Sequence, residues 1–155
     1  MSFRKNVTTA LWLLLSVMAT TVEGQSIVGV WKRTSVLVTD KDGKNSEVQT
    51  MLEKNMPCMA GIRYEFTAAG MQKTIVPEAC KKTLSPMAAL MGDAPYSLSG
   101  NKILIKSPNK ELAPDATYGC QIKGNVMTWS FNYADNPQTP NPSKAKSMTI
   151  QYQKQ

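Results

Sequence analysis

Histidine is absent from all 155 residues. Neither a Ser-His-Asp nor a Cys-His arrangement can be built, and the side chain that titrates nearest neutrality is missing. There is no Gly-rich phosphate loop, no Cys-x-x-Cys and no metal motif, so no cofactor is implied. Carboxylates exist (Glu47, Glu53, Glu65, Glu78, Asp93, Glu111, Asp115, Asp135), but they fall mostly in turns or on the solvent side of strands, without the pairing that carboxylate catalysis needs. The chain reads as a non-enzyme. Arginine is scarce as well: after Arg4 come only Arg33 and Arg63. The lysines behind the net charge of +7 are scattered beside turns rather than gathered on one face among stacking aromatics. That pattern argues against a nucleic-acid reader and for a solvated surface, with attraction to anionic glycans or lipids as the alternative.

Long apolar runs are also missing. The longest, Ala10 to Ala19 behind Arg4 and Lys5, is too short to span a bilayer, which takes ~20 residues. It has the form of a secretory signal, with Val22 and Gly24 as the small pair before a cut at Gln25. Residues 1–24 are thus expected to be a signal peptide and 25–155 one domain, exported to the periplasm or beyond, monomeric and without a transmembrane segment. Loss of Arg4, Lys5 and Glu23 takes the net charge from +7 to +6.

Only three cysteines occur. Cys58 and Cys80 lie in loop-like sequence on either side of a predicted hairpin, whereas Cys120 shares a strand face with Tyr118 and Ile122. In an exported chain this predicts a Cys58–Cys80 disulfide and a buried, free Cys120.

What remains is a series of short alternating runs between turn residues, the signature of antiparallel all-β structure. A first strand is predicted over about Ile27 to Val38, ending at Asp40-Lys41-Asp42-Gly43. Asn45 to Asn55 places Val48, Met51 and Leu52 at i, i+3 and i+4 behind an Asn45 or Ser46 cap, which predicts a short helix or lid. Ile62 to Phe66 and Met71 to Val76 form a hairpin about Thr67-Ala68-Ala69-Gly70. A linker from Pro77 to Asp93 carries apolar Met87 to Met91, read as capping a core. Two further hairpins turn at Ser99-Gly100-Asn101 and Lys123-Gly124-Asn125. The proline-spaced segment Asn132 to Ser143 cannot be a central strand, and the last strand covers about Ala145 to Gln153. With Asn45–Asn55 helical, the count is eight strands, the number at which an up-and-down barrel closes around a side-chain core or one small ligand. The alternate apolar positions that would fill its interior are Tyr64, Phe66, Tyr96, Leu98, Ile103, Ile105, Tyr118, Ile122, Met127, Trp129, Phe131, Met148, Ile150 and Tyr152.

The order of several motifs resembles the bacterial lipocalin-like domains of exported proteins. Ile27-Val28-Gly29-Val30-Trp31-Lys32 stands at the start of the domain, Cys58 precedes Tyr64-Glu65-Phe66-Thr67-Ala68-Ala69-Gly70, Cys80 follows the hairpin, and Pro95-Tyr96-Ser97-Leu98-Ser99-Gly100-Asn101 comes later. The resemblance covers nearly all of residues 25–155. It implies a lipocalin-like barrel in which Gly29 and Trp31 are structural and Trp31 closes one end. A basic residue near the last strand would pack over that ring, and the candidates here are Lys146 and Lys154.

Two functional readings stay open. One is a carrier that holds a small apolar molecule inside the barrel, with Tyr64, Tyr96, Tyr118, Met127 and Trp129 as its ligand-binding residues, because tyrosine hydroxyls can orient a ligand in an apolar pocket. The other is a filled-barrel interaction module, of envelope-partner or protease-inhibitor type, acting through the loops Pro77–Asp93 or Asn132–Ser143. A hollow interior favours the carrier and a packed one the module.

Overall fold

The computed structural model describes residues 26–155, and the expected signal peptide lies outside them. The elements are β1 (Gly29–Asp40), β2 (Asn45–Glu47), α1 (Val48–Asn55), β3 (Arg63–Phe66), β4 (Met71–Ile75), α2 (Lys81–Leu84), β5 (Ala94–Ser99), β6 (Lys102–Ile105), β7 (Ala116–Lys123), β8 (Val126–Asn132) and β9 (Ala145–Lys154). Every pairing is antiparallel; β3 to β9 are neighbours in the sheet as in the chain, β1 pairs with β3 on one side and with β9 on the other to close the ring, and β2 pairs only with β1. The protein is therefore all-β: an eight-stranded up-and-down antiparallel barrel with a short helix after the first strand.

Four expectations need correction. The segment Asn45–Asn55 is not wholly helical, because Asn45–Glu47 adds a ninth, three-residue strand along Leu37–Thr39 of β1. The helix cap is neither Asn45 nor Ser46 but Glu47, whose carboxylate accepts the N–H groups of Gln49 and Thr50. Its buried residue is Gln49, while Met51 is exposed. Spacing placed the apolar stripe correctly in phase for Val48 and Leu52, but the turn facing β1 demanded a polar residue, for a reason found at Arg33. Leu98, expected inside, is also exposed. It pairs with Ile103 just before the Gly100-Asn101 turn, and alternation assigns a side chain to a face without saying how near the rim it sits.

Two of the hairpins share one construction. Ser99 pairs with Lys102 and Lys123 with Val126, leaving two-residue Gly-Asn loops whose glycines have φ of +58° and +57°. A positive φ at the first central residue is the type II′ arrangement that matches the twist of the flanking strands. The linker Pro77–Asp93 is ordered as a chain of short turns, 3-10 at Glu78–Cys80, α2, then 3-10 at Ser85–Leu90.

The core has two parts. The larger lies inside the barrel, where Trp31, Phe66, Ile103 and Met127, all essentially inaccessible, pack with Ile27, Val36, Cys120, Trp129, Ile150 and Tyr152. The smaller gathers Met59, Ile62 and Leu84 with Met56, Val76, Met87, Met91 and the two cystine residues, and Tyr64 packs against both clusters. Cys58 and Cys80 are bonded, with Cα atoms 5.5 Å apart, and Cys120 is buried and free. Among the described residues no helix is long and apolar enough to cross a membrane.

Candidate functional site

The cavity arises where two ladders give out. β4 and β5 share only two residue pairs, Met71 with Pro95 and Gln72 with Ala94, so the wall has no ladder past Gln72. On the other side, β1 pairs with β3 only through Gly29–Trp31 and with β2 only through Leu37–Thr39. Between these gaps a cavity of about 410 Å³ opens into the barrel. Its walls include Tyr64, Ile105, Tyr118, Trp129, Ile150 and Tyr152, and its roof is formed by Met87, Leu90 and Met91 from the 3-10 turn Ser85–Leu90 and the residue after it. A small-molecule site spans roughly 300–1,000 Å³, so this space is large enough for a compact ligand. The barrel is therefore filled around Trp31 and hollow beside Arg33, Tyr118 and Tyr152.

Trp129 is the hub of the lining. Its ring centroid is 5.0 Å from Tyr118, 5.0 Å from Tyr152 and 5.8 Å from Phe66, and Tyr64 meets Tyr152 edge-on at 5.6 Å. Aromatic pairs at such separations hold one another in fixed orientations. The hydroxyls of Tyr64, Tyr118 and Tyr152 have no hydrogen-bond partner among the described residues. Burial raises the pKa of all three above the ordinary tyrosine value, furthest for Tyr152, so each stays a neutral donor. Trp129 Nε1 is buried and lacks an acceptor among the described residues. Burial pushes the Cys120 thiol up, against a weaker opposing pull from the Trp129 N–H, whose geometry falls short of a hydrogen bond.

Of the residues expected to bind a ligand, Tyr64, Tyr118 and Trp129 come together around the cavity, while Tyr96 and Met127 do not line it. Tyr96 packs its ring on Phe66 at 5.3 Å and donates its hydroxyl to the Thr67 carbonyl at 2.8 Å, which ties it to the β3–β4 turn. Met127 is sealed in the filled part. Sequence reasoning missed Tyr152 as a lining residue although it stood in the expected interior, and it missed the roof, where Met87 and Met91 both cap the smaller core and cover the cavity.

It also missed Arg33. Simple alternation from Trp31 carries Arg33 inward and would carry Ser35 after it. A bulge between Arg33 and Ser35, where Tyr152 and Gln151 are their successive partners, resets the phase so that Val36 points inward instead. Arg33 lines the cavity, the only charged residue to do so among the described residues. Its Nε donates to Gln49 Oε1 at 2.7 Å, and Gln49 Nε2 donates to Glu53 Oε1 at 2.7 Å. That chain explains the buried glutamine of α1.

A second concavity, about 700 Å³, crosses the outer face of β7–β9. It is lined chiefly by outward hydroxyls and amides such as Thr117, Ser130 and Thr149, with Lys102 and Lys146. Tyr118 and Phe131, with ring centroids 5.2 Å apart, also reach it, beside Asp135. No group of His, Cys, Asp or Glu suited to a metal occurs among the described residues. No protein-family model and no curated protein matches the chain.

Proposed function

We propose that this is an exported lipocalin-like carrier, monomeric and non-catalytic, that holds a small apolar molecule in the hollow part of its barrel. The observation that carries the reading is the cavity of about 410 Å³ between the aromatic wall of Tyr64, Tyr118, Trp129 and Tyr152 and the roof of Met87, Leu90 and Met91. Apolar lining excludes water from a bound hydrocarbon, and the free tyrosine hydroxyls give it an orientation. The Cys58–Cys80 disulfide supports export to an oxidising compartment. The motif order from Gly29-Val30-Trp31 to Ser99-Gly100-Asn101 supports the lipocalin-like assignment together with the closed barrel.

Titration with the neutral probe N-phenyl-1-naphthylamine tests it. In a Trp31→Phe background, where Trp129 is the only tryptophan of residues 26–155, one equivalent of probe should brighten saturably while Trp129 emission falls in step. Leu90→Glu, at a half-exposed roof position outside both core clusters, should weaken binding without lowering the melting temperature. No saturable binding up to the solubility limit of the probe would replace the carrier with the filled-barrel interaction module.

A further inference from the structure

The two arginines of the described residues are used differently. Arg63 spends one terminal amino group on the carbonyls of Ala60 and Ile62, at 3.0 Å each. Arg33 engages only through Nε, to the neutral amide of Gln49, and neither terminal amino group makes a hydrogen bond among the described residues. No carboxylate pairs with it there either, since the ion pairs found are Lys81–Glu78 and Lys110–Asp115. The Gln49 amide stands between Arg33 and Glu53 as a spacer. The guanidinium carbon sits 5.8 Å from the centroid of the Tyr64 ring, and its charge pulls against the burial that raises the Tyr64 and Tyr152 hydroxyls.

A half-buried cation with no carboxylate partner is costly unless something else meets it. We propose that Arg33 receives the anionic head of the ligand, so that the barrel takes an amphipathic acid: an apolar chain or ring system carrying one carboxylate. The inference rests on the carrier reading of the same cavity. A carboxylate presented to the free edge of the guanidinium can accept two parallel hydrogen bonds, the strongest pairing available to it. The neutral hydroxyls of Tyr64 and Tyr152, beside it, are placed to donate to the same head group. The apolar remainder then extends along Ile105, Trp129 and Ile150 beneath Met87 and Met91. Gln49 acts as a positioning residue: by taking Nε it leaves the opposite edge of the guanidinium for the ligand.

The test compares decanoate with decanol, which share a chain length and differ in the charged head, as displacers of N-phenyl-1-naphthylamine at pH 7.5. On the wild-type protein decanoate should displace the probe at no higher concentration than decanol. In Arg33→Gln the decanoate concentration for half-displacement should rise at least tenfold, with decanol unchanged within twofold. Equal loss for both displacers, or no loss for either, overturns the role of Arg33 while leaving the carrier reading intact. Failure of the probe itself to bind the wild-type protein removes the carrier reading, and this inference with it. Should Arg33→Gln not fold, the wild-type comparison decides: decanol displacing better than decanoate overturns the proposal. Arg33→Lys, which keeps the charge and loses the fork, should retain part of the preference.

Discussion

Lys154 holds its ammonium 5.3 Å from the centroid of the Trp31 ring, and so places the last residue of β9 over the first buried residue of β1. Of the two lysines expected for that position, Lys154 occupies it. Trp31 is fully inaccessible, and its indole N–H donates to the Ile27 carbonyl at 2.7 Å, which folds the entering chain across the filled part of the barrel. Trp31→Ala should cost ~3–5 kcal/mol, as for other buried large aromatics. Lys154→Ala should cost only ~0.5–1 kcal/mol, the scale of an accessible cation–π contact. Denaturant unfolding of both variants checks the ratio. A Trp31→Ala loss below ~1 kcal/mol would mean that the ring is not the plug its burial indicates.

Gly29 has φ of +136°, and a Cβ there would stand 2.9 Å from Lys154 Cε. The flexible lysine can move aside, so the backbone decides the outcome. Gly29→Ala should cost ~1–3 kcal/mol, as for non-glycine residues in sparsely populated backbone regions. The loss should persist in the double variant Gly29→Ala, Lys154→Ala, and near-additive unfolding free energies in that pair would confirm that strain dominates over contact.

The disulfide closes across 22 residues and ties the 3-10 turn Pro57–Gly61 to the start of α2. By the chain-entropy estimate its removal should cost ~3 kcal/mol. The local effect is the more informative one. Cys58 and Cys80 pack with Leu84, Met87 and Met91 in the smaller core, so the bond anchors the roof of the cavity. Cys58→Ser with Cys80→Ser should therefore speed tryptic cleavage after Lys81 or Lys82 more than cleavage after lysines on the barrel, such as Lys102. Uniform acceleration would show that only global stability had changed.

The barrel could be read from the sequence because its determinants are local. Alternation in Tyr118-Gly119-Cys120-Gln121-Ile122, glycine at each tight turn and paired cysteines outside the strands each act within a few residues. The site was half legible. Tyr64, Tyr118 and Trp129 follow from alternation, and the structure seats them together. Arg33 also shares the inward face of Trp31 by alternation, but a charged side chain does not announce itself as an interior position, and the bulge that follows it, which turns Val36 inward, leaves little trace in composition. The cavity itself does not follow, because it depends on how far the β4–β5 ladder runs: a sequence shows that two strands exist, and not where they part. Gln49 completes the pattern, since a buried polar residue in an apolar stripe is intelligible only through the distant partner it serves.

Glu47 links that partner to pH. Its carboxylate accepts from the Val36 N–H of β1 at 2.9 Å, from Thr50 N–H at 2.7 Å and from Gln49 N–H at 3.2 Å, so one side chain caps α1 and satisfies the edge of β1. Loss of solvation alone would raise its pKa. The N–H donors of Thr50, Val36 and Gln49 together outweigh that and hold it at about 2, against 4.5 for a free glutamate. A depressed pKa in the folded state means that the contribution to stability is complete above about pH 4.5 and is lost as pH falls toward 2. At pH 6, Glu47→Gln should be less stable than wild type by ~1 kcal/mol, the usual scale for a helix cap. The difference between their melting temperatures should shrink through pH 4 and 3 and vanish near pH 2. A gap that stays constant across that range would show that Glu47 acts through neutral hydrogen bonding alone. Because α1 carries Gln49, the same acid titration should loosen the hold on Arg33, and the affinity for N-phenyl-1-naphthylamine, which has no charge to titrate with Arg33, should report whether the cavity survives it.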